Sequence, residues 1–140
     1  MKTAGNVKVK PFHVNSNVSP RVSPKRCYQI IQAVRRAVEE FDEDRRVAFY
    51  GTGGLSYYPG TPLSGKVDVE ADQQIIRKIV EGRGSELANL TSRWLDETGN
   101  FELRTWIAAL GVVGDVPGEV LVYERAYHIG YCVAAVDGGA

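Results

Sequence analysis

Two stretches of this chain carry residue types and spacings that could do chemistry. The first is Tyr50-Gly51-Thr52-Gly53-Gly54, which follows the apolar run Val47-Ala48-Phe49 and leads into Tyr57-Tyr58-Pro59-Gly60. Successive glycines after an extended segment let backbone N–H groups converge on an anion. Two tyrosines beside them could stack on a base or a sugar. The stretch stops short of the stricter phosphate motifs. Ser56 stands where a GxGxxG would need its third glycine, and no GxxxxGK[ST] occurs. A glycine pair shaping a hairpin or bulge is the competing reading.

The second stretch is Glu124-Arg125-Ala126-Tyr127-His128. On a strand, Glu124 and His128 share one face and could act as an acid/base pair. Residues on one side of a strand stand about 7 Å apart at each step, so an ordinary surface pair is the simpler reading. The only other histidine is His13, and Cys27 and Cys132 lie far apart. No Cys/His spacing suits zinc, no Ser-His-Asp set can be drawn, and no cofactor or metal is called for. Both cysteines read as buried thiols.

The elements that must position these groups read as a small α+β domain, a mixed or antiparallel sheet packed by three to four helices. Residues 1–22 read as an extended arm. Val7-Lys8-Val9-Lys10 within it is a candidate edge strand, and Val14, Val18 and Val22 are set among prolines and polar residues to cover a neighbouring subunit. The domain proper spans 23–137, and 138–140 reads as a frayed tail.

Ser23 and Pro24 make a helix start, and Cys27, Ile30, Ile31, Val34, Val38 and Phe41 follow on one face. Lys25 and Arg26 at that positive helix end are out of place electrostatically. With Arg21 they could instead surround a bound anion. Lys66–Glu70 alternates like a strand, and Ala71–Glu81 reads as a second helix. Ser85 would cap a third helix, carrying Leu87, Leu90, Trp94 and Leu95 to an end at Gly99. Residues 101–113 are apolar enough for a strand but spaced as a helix, with Asn100 as cap and Gly111 as terminator. Residues 119–136 read as two strands or one bent strand.

The 140 residues suit one domain, and 44% hydrophobic with 24% charged residues is ordinary for a globular chain. Lysine plus arginine equals aspartate plus glutamate at 17 each, which argues against general nucleic-acid or membrane-surface binding and mildly for self-association. No apolar signal core and no run of about 20 apolar residues occurs, so the expected compartment is the cytoplasm, of the cell or of a host.

These readings favour a non-enzymatic homo-oligomeric assembly protein, such as a viral or phage accessory protein. One alternative is a binding protein for a small phosphorylated or nucleotide-like anion, held by Thr52, Gly53, Gly54, Tyr57, Tyr58, Arg21, Lys25 and Arg26. The other is a small enzyme using Glu124 and His128.

Overall fold

The computed structural model describes residues 7–43 and 46–138. Among them run α1 (Pro24–Glu39), α2 (Val69–Val80), α3 (Gly84–Leu87), α4 (Ser92–Thr98) and α5 (Leu103–Val113), followed by β1 (Glu119–Arg125) and β2 (Gly130–Ala135). The strands form one antiparallel pair, Glu119 opposite Ala135 and Arg125 opposite Gly130, with an irregularity between Val120 and Val122. The architecture is α+β, with the helices supplying most of the core.

α1 starts where its cap residues place it. Ser23 Oγ accepts from the Arg26 amide at 3.3 Å, and Pro24 occupies the first turn, where no N–H is needed. Cys27 and Ile31 are buried, while Ile30, Val34 and Val38 are half-buried and Phe41 is exposed. This face packs against α5. The contact explains why Gly111 does not end α5. A Cβ there would stand 2.5 Å from Ile31 Cγ2 and 2.8 Å from the Tyr28 carbonyl, so the glycine is what lets the helices approach. The helix runs on to Val113 and stops at Gly114, whose φ is 76°.

Three local expectations are corrected. Lys66–Glu70 is not a strand, because Asp68 Oδ1 accepts from the Ala71 amide at 3.1 Å and α2 begins at Val69. The single helix expected from Ser85 is two, because Thr91 Oγ1 accepts from the Trp94 amide at 3.0 Å and caps α4. Val7–Lys10 and Val47–Tyr50 are extended without pairing as strands. The core centres on Ile75, Ile79, Leu87, Leu95, Leu103 and Ile107, each 2% exposed or less.

The described part of the arm, residues 7–22, lies on its own domain. Val14 and Val22 pack against the core, whereas Val18 is exposed. Asn15 folds the arm locally, donating to the carbonyls of Val18 at 2.7 Å and Pro20 at 3.0 Å. Arg104, on α5 and fully buried, donates to the Val22 carbonyl at 2.7 Å, to Phe101 at 3.0 Å and more weakly to Ser16 at 3.5 Å. Arg21 holds Asp96 of α4 through both guanidinium nitrogens, one of them at 2.6 Å. The first six arm residues, and the last two of the expected tail, lie outside the described residues.

Candidate functional site

The site is built where α5 meets the glycine stretch. Glu102 is the N-cap residue of α5, and its carbonyl accepts from the Thr105 amide at 2.9 Å. Its carboxylate faces the glycine loop, where Oε2 accepts from the Gly54 amide at 3.0 Å. Gly53 has φ +106°, and a Cβ there would lie 2.6 Å from Glu102 Oε2 and 2.7 Å from Glu102 Cβ. Only glycine combines that backbone conformation with that proximity. The next turn of α5 holds the loop from behind. Thr105 Oγ1 donates to the Thr52 carbonyl, and Trp106 Nε1 donates to the Gly53 carbonyl at 3.1 Å. The carboxylate and the loop are therefore one rigid unit.

Tyr57 stands beside Glu102 without lining the cavity. Its ring stands edge-on to Phe101, 6.2 Å between centroids at 88°. Its phenol donates to Glu102 and accepts from the Asn17 amide. Burial, then the Glu102 charge and the hydrogen bond to it, hold the phenol above its ordinary pKa, against a smaller opposing effect from Asn17. It is a neutral donor at physiological pH. The arm roofs the cleft. A cavity of about 400 Å³ is lined by Phe12, His13, Asn17, Thr52, Gly53 and Glu102, among others. That volume suits a single small molecule.

Beyond the cleft, Ser56 ties the loop to the domain. Its amide donates to Asp72 Oδ1 at 2.9 Å and its hydroxyl to Oδ2 at 3.0 Å, and the same hydroxyl accepts from the Asp68 amide at 2.7 Å. Tyr123 of β1 donates to Asp72 Oδ2 at 2.9 Å. Asp72 is fully buried, and that desolvation raises its pKa despite the four hydrogen bonds that lower it. This cluster joins the loop, α2 and β1, and it lies away from the cleft lining.

The candidate residues read from the sequence divide accordingly. Thr52, Gly53, Gly54 and Tyr57 come together around Glu102. Tyr58 is buried and donates to the Glu97 carbonyl at 3.0 Å. The Arg21 charge is committed to Asp96, and Lys25 and Arg26 project from exposed positions on α1. The acid/base pairing of Glu124 with His128 is corrected. Glu124 is an exposed residue of β1, whereas His128 lies in the connecting turn with its ring against Tyr127, so no shared strand face joins them. Sequence reasoning missed Glu102, Asn17 and Asp72. A signal for Glu102 existed in Gly99-Asn100-Phe101-Glu102, an acidic residue at a helix start, but nothing local says which loop it faces.

A family model described as the catalytic LigB subunit of aromatic ring-opening dioxygenase matches residues 1–134. The chain belongs to that family. It is also similar to gallate dioxygenase of Pseudomonas putida, with 30% identity over 109 residues, covering 76% of this chain and 32% of the relative. The chain thus spans about a third of that relative's length. Membership in a catalytic family overturns the expectation of a non-enzymatic assembly protein, and with it the phage and nucleotide-binding readings. No helix among the described residues is long and apolar enough to cross a membrane.

Proposed function

We propose that this member of the ring-opening dioxygenase family supplies one wall of an aromatic-substrate site, with Glu102 as its working carboxylate. The observation that supports the reading is the Glu102 carboxylate, fixed by the Gly54 amide and facing a cleft sized for one aromatic ring. The substrate class is a hydroxylated benzoate of the gallate kind, by analogy with the relative's activity. Glu102 accepts from ring hydroxyls, the Tyr57 phenol steadies that carboxylate by donating to it, and His13 and Asn17 contact the substrate from the arm. The close Gly53–Glu102 junction keeps these groups in place without reorganisation when substrate arrives.

Dioxygen chemistry calls for a redox-active metal or organic cofactor. A non-haem iron centre uses two histidines and one carboxylate. Among the described residues, no group of three or more His, Cys, Asp or Glu could hold a metal ion. The described residues of this chain do not by themselves fit such a centre.

The test places this chain in the frame of the Pseudomonas putida gallate dioxygenase, replacing its matched stretch, and follows oxygen uptake with gallate. Glu102→Gln should lower kcat/KM by about a hundredfold, the scale of a lost proton-handling or charge-stabilising group. Trp106, bonded to Gly53 at the edge of the cleft, should report gallate binding by fluorescence. Unchanged turnover and binding in Glu102→Gln would rule the reading out.

A further inference from the structure

A second, larger concavity borders the glycine loop beside the Glu102 cleft. It is a groove of about 950 Å³ between the extended segment 47–51 and β2, floored by Ile79, Trp106 and Leu110. Gly53 borders both cavities. Each wall of the groove is a length of unpaired backbone. Among the described residues, 47–53 make no backbone–backbone hydrogen bond. Val47 is 51% exposed and Tyr50 86%, in a segment whose apolar composition suits a sheet.

On the opposite wall, β2 is paired with β1 along one edge only. A third strand begins on its free edge and is not continued. Leu55 donates to the Gly130 carbonyl at 2.9 Å, and Gly130 donates to the Ser56 carbonyl at 3.1 Å. From Gly54 backwards the segment diverges from β2, leaving Val133 52% exposed and a wedge between the two backbones. A two-stranded sheet is marginal without further pairing, and an open apolar edge is a template for another strand.

We propose that this wedge is the docking site for an extended strand from the part of the dioxygenase polypeptide that this chain does not span. The strand hydrogen-bonds to the free edge of β2 and to segment 47–51, and its alternate apolar side chains rest on Trp106 and Leu110. β2 has six residues, so the occupant is a segment of about six residues, roughly 20 Å long. Two observations favour that source. Most of the gallate dioxygenase relative lies outside the span this chain matches. The groove also leads past Gly53 to the Glu102 cleft, where the described residues fall short of a metal centre. A second copy fits less well, because its β1 and β2 are already paired with each other and packed against helices, too thick for a wedge that admits one strand. The proposal rests on family membership and is independent of the role given to Glu102.

Hydrogen exchange read by mass spectrometry tests it without substrate. The chain alone, with its mass followed by light scattering, should be a monomer in which the amides of 47–51 exchange at near-unprotected rates. Set into the Pseudomonas putida gallate dioxygenase in place of the matched stretch, the same amides should slow by about a hundredfold, as paired strand amides do. Protection in the isolated monomer means that the chain closes its own wedge, and protection that rises with dimer formation makes a second copy the occupant. Either result overturns the proposal, as does a folded chimera with no slowing. If the chimera does not fold, the chain is mixed with the separately purified remainder of that dioxygenase. Slowing of 47–51 then supports the proposal, and its absence overturns it. The readout is insensitive to whether Glu102 acts on gallate.

Discussion

Gly54 donates its amide to the carboxylate of Glu102 at 3.0 Å, across 48 positions of sequence. That bond makes a helix cap and a glycine turn into one object, and its energetics can be tested from the glycine side. Gly53→Ala should destabilise the domain by about 1–3 kcal/mol, the range for a strained backbone position, because the new methyl must share space with the Glu102 side chain. Urea denaturation gives the cost. At substrate concentrations where the folded fraction is unchanged, gallate binding should still fall, because the carboxylate has been displaced.

The core makes an ordered set of predictions. Ile107 is fully buried between α1 and the inner helices, and Ile107→Ala should cost about 2–5 kcal/mol. Gln32→Ala, on the half-exposed side of α1, should cost under about 0.5 kcal/mol. Equal losses measured by denaturant titration would mean that α1 packs with a different face.

Asp72 predicts a pH dependence of definite sign. Burial raises its folded pKa above the ordinary aspartate value, so the folded state binds the proton more tightly than the unfolded chain. Its contribution to stability is full below the unfolded pKa and is lost as pH rises through the folded one. The stability of wild type relative to Asp72→Asn should therefore improve as pH falls from neutral towards 4. Urea titrations of both proteins across that range check it, and a gap that widens against wild type in acid would reverse the sign.

The two arginines that hold the arm should differ in weight. The Arg21–Asp96 pair is partly exposed, at 23% and 36% for the two side chains, so Arg21→Ala should cost no more than about 1 kcal/mol. Arg104→Ala removes a fully buried guanidinium from three carbonyls and should cost about 3 kcal/mol or more. Limited chymotrypsin digestion should cut the arm after Phe12 much faster in the Arg104 variant than in the Arg21 variant.

The thiols should be slow to react. Burial, and secondarily the charge of Asp72, pushes Cys132 up to about 11, and burial raises Cys27 as well despite the opposing charge of Arg104. At pH 8 only about a thousandth of Cys132 is thiolate, so iodoacetamide should label neither cysteine rapidly until urea is added. Fast native labelling of Cys132 would show that its environment is more open than this.

What the sequence made legible was what local chemistry decides. Ser23-Pro24 located the start of α1, and the valine- and tyrosine-rich end gave β1 and β2. The misreadings share a cause. Asp68 and Thr91 start helices by accepting backbone N–H groups, a competition that alternation and periodicity do not register. Half of the cleft was visible as a glycine stretch beside Tyr57. The other half was not, because Glu102 is an unremarked acid until α5 folds back and sets it against Gly54. Val47–Tyr50 has a strand's composition and yet pairs with no strand among the described residues, an outcome that apolar pattern alone does not register.

Arg104 grips the arm by main-chain oxygens at Ser16 and Val22, and Asn15 likewise binds the carbonyls of Val18 and Pro20. The path of the arm is thus set largely by atoms that every amino acid possesses. Phe12 and His13, whose side chains face the cleft, are not the ones that hold the arm in place. Substitution at either position can therefore reshape the lining of the cleft while the arm keeps its path.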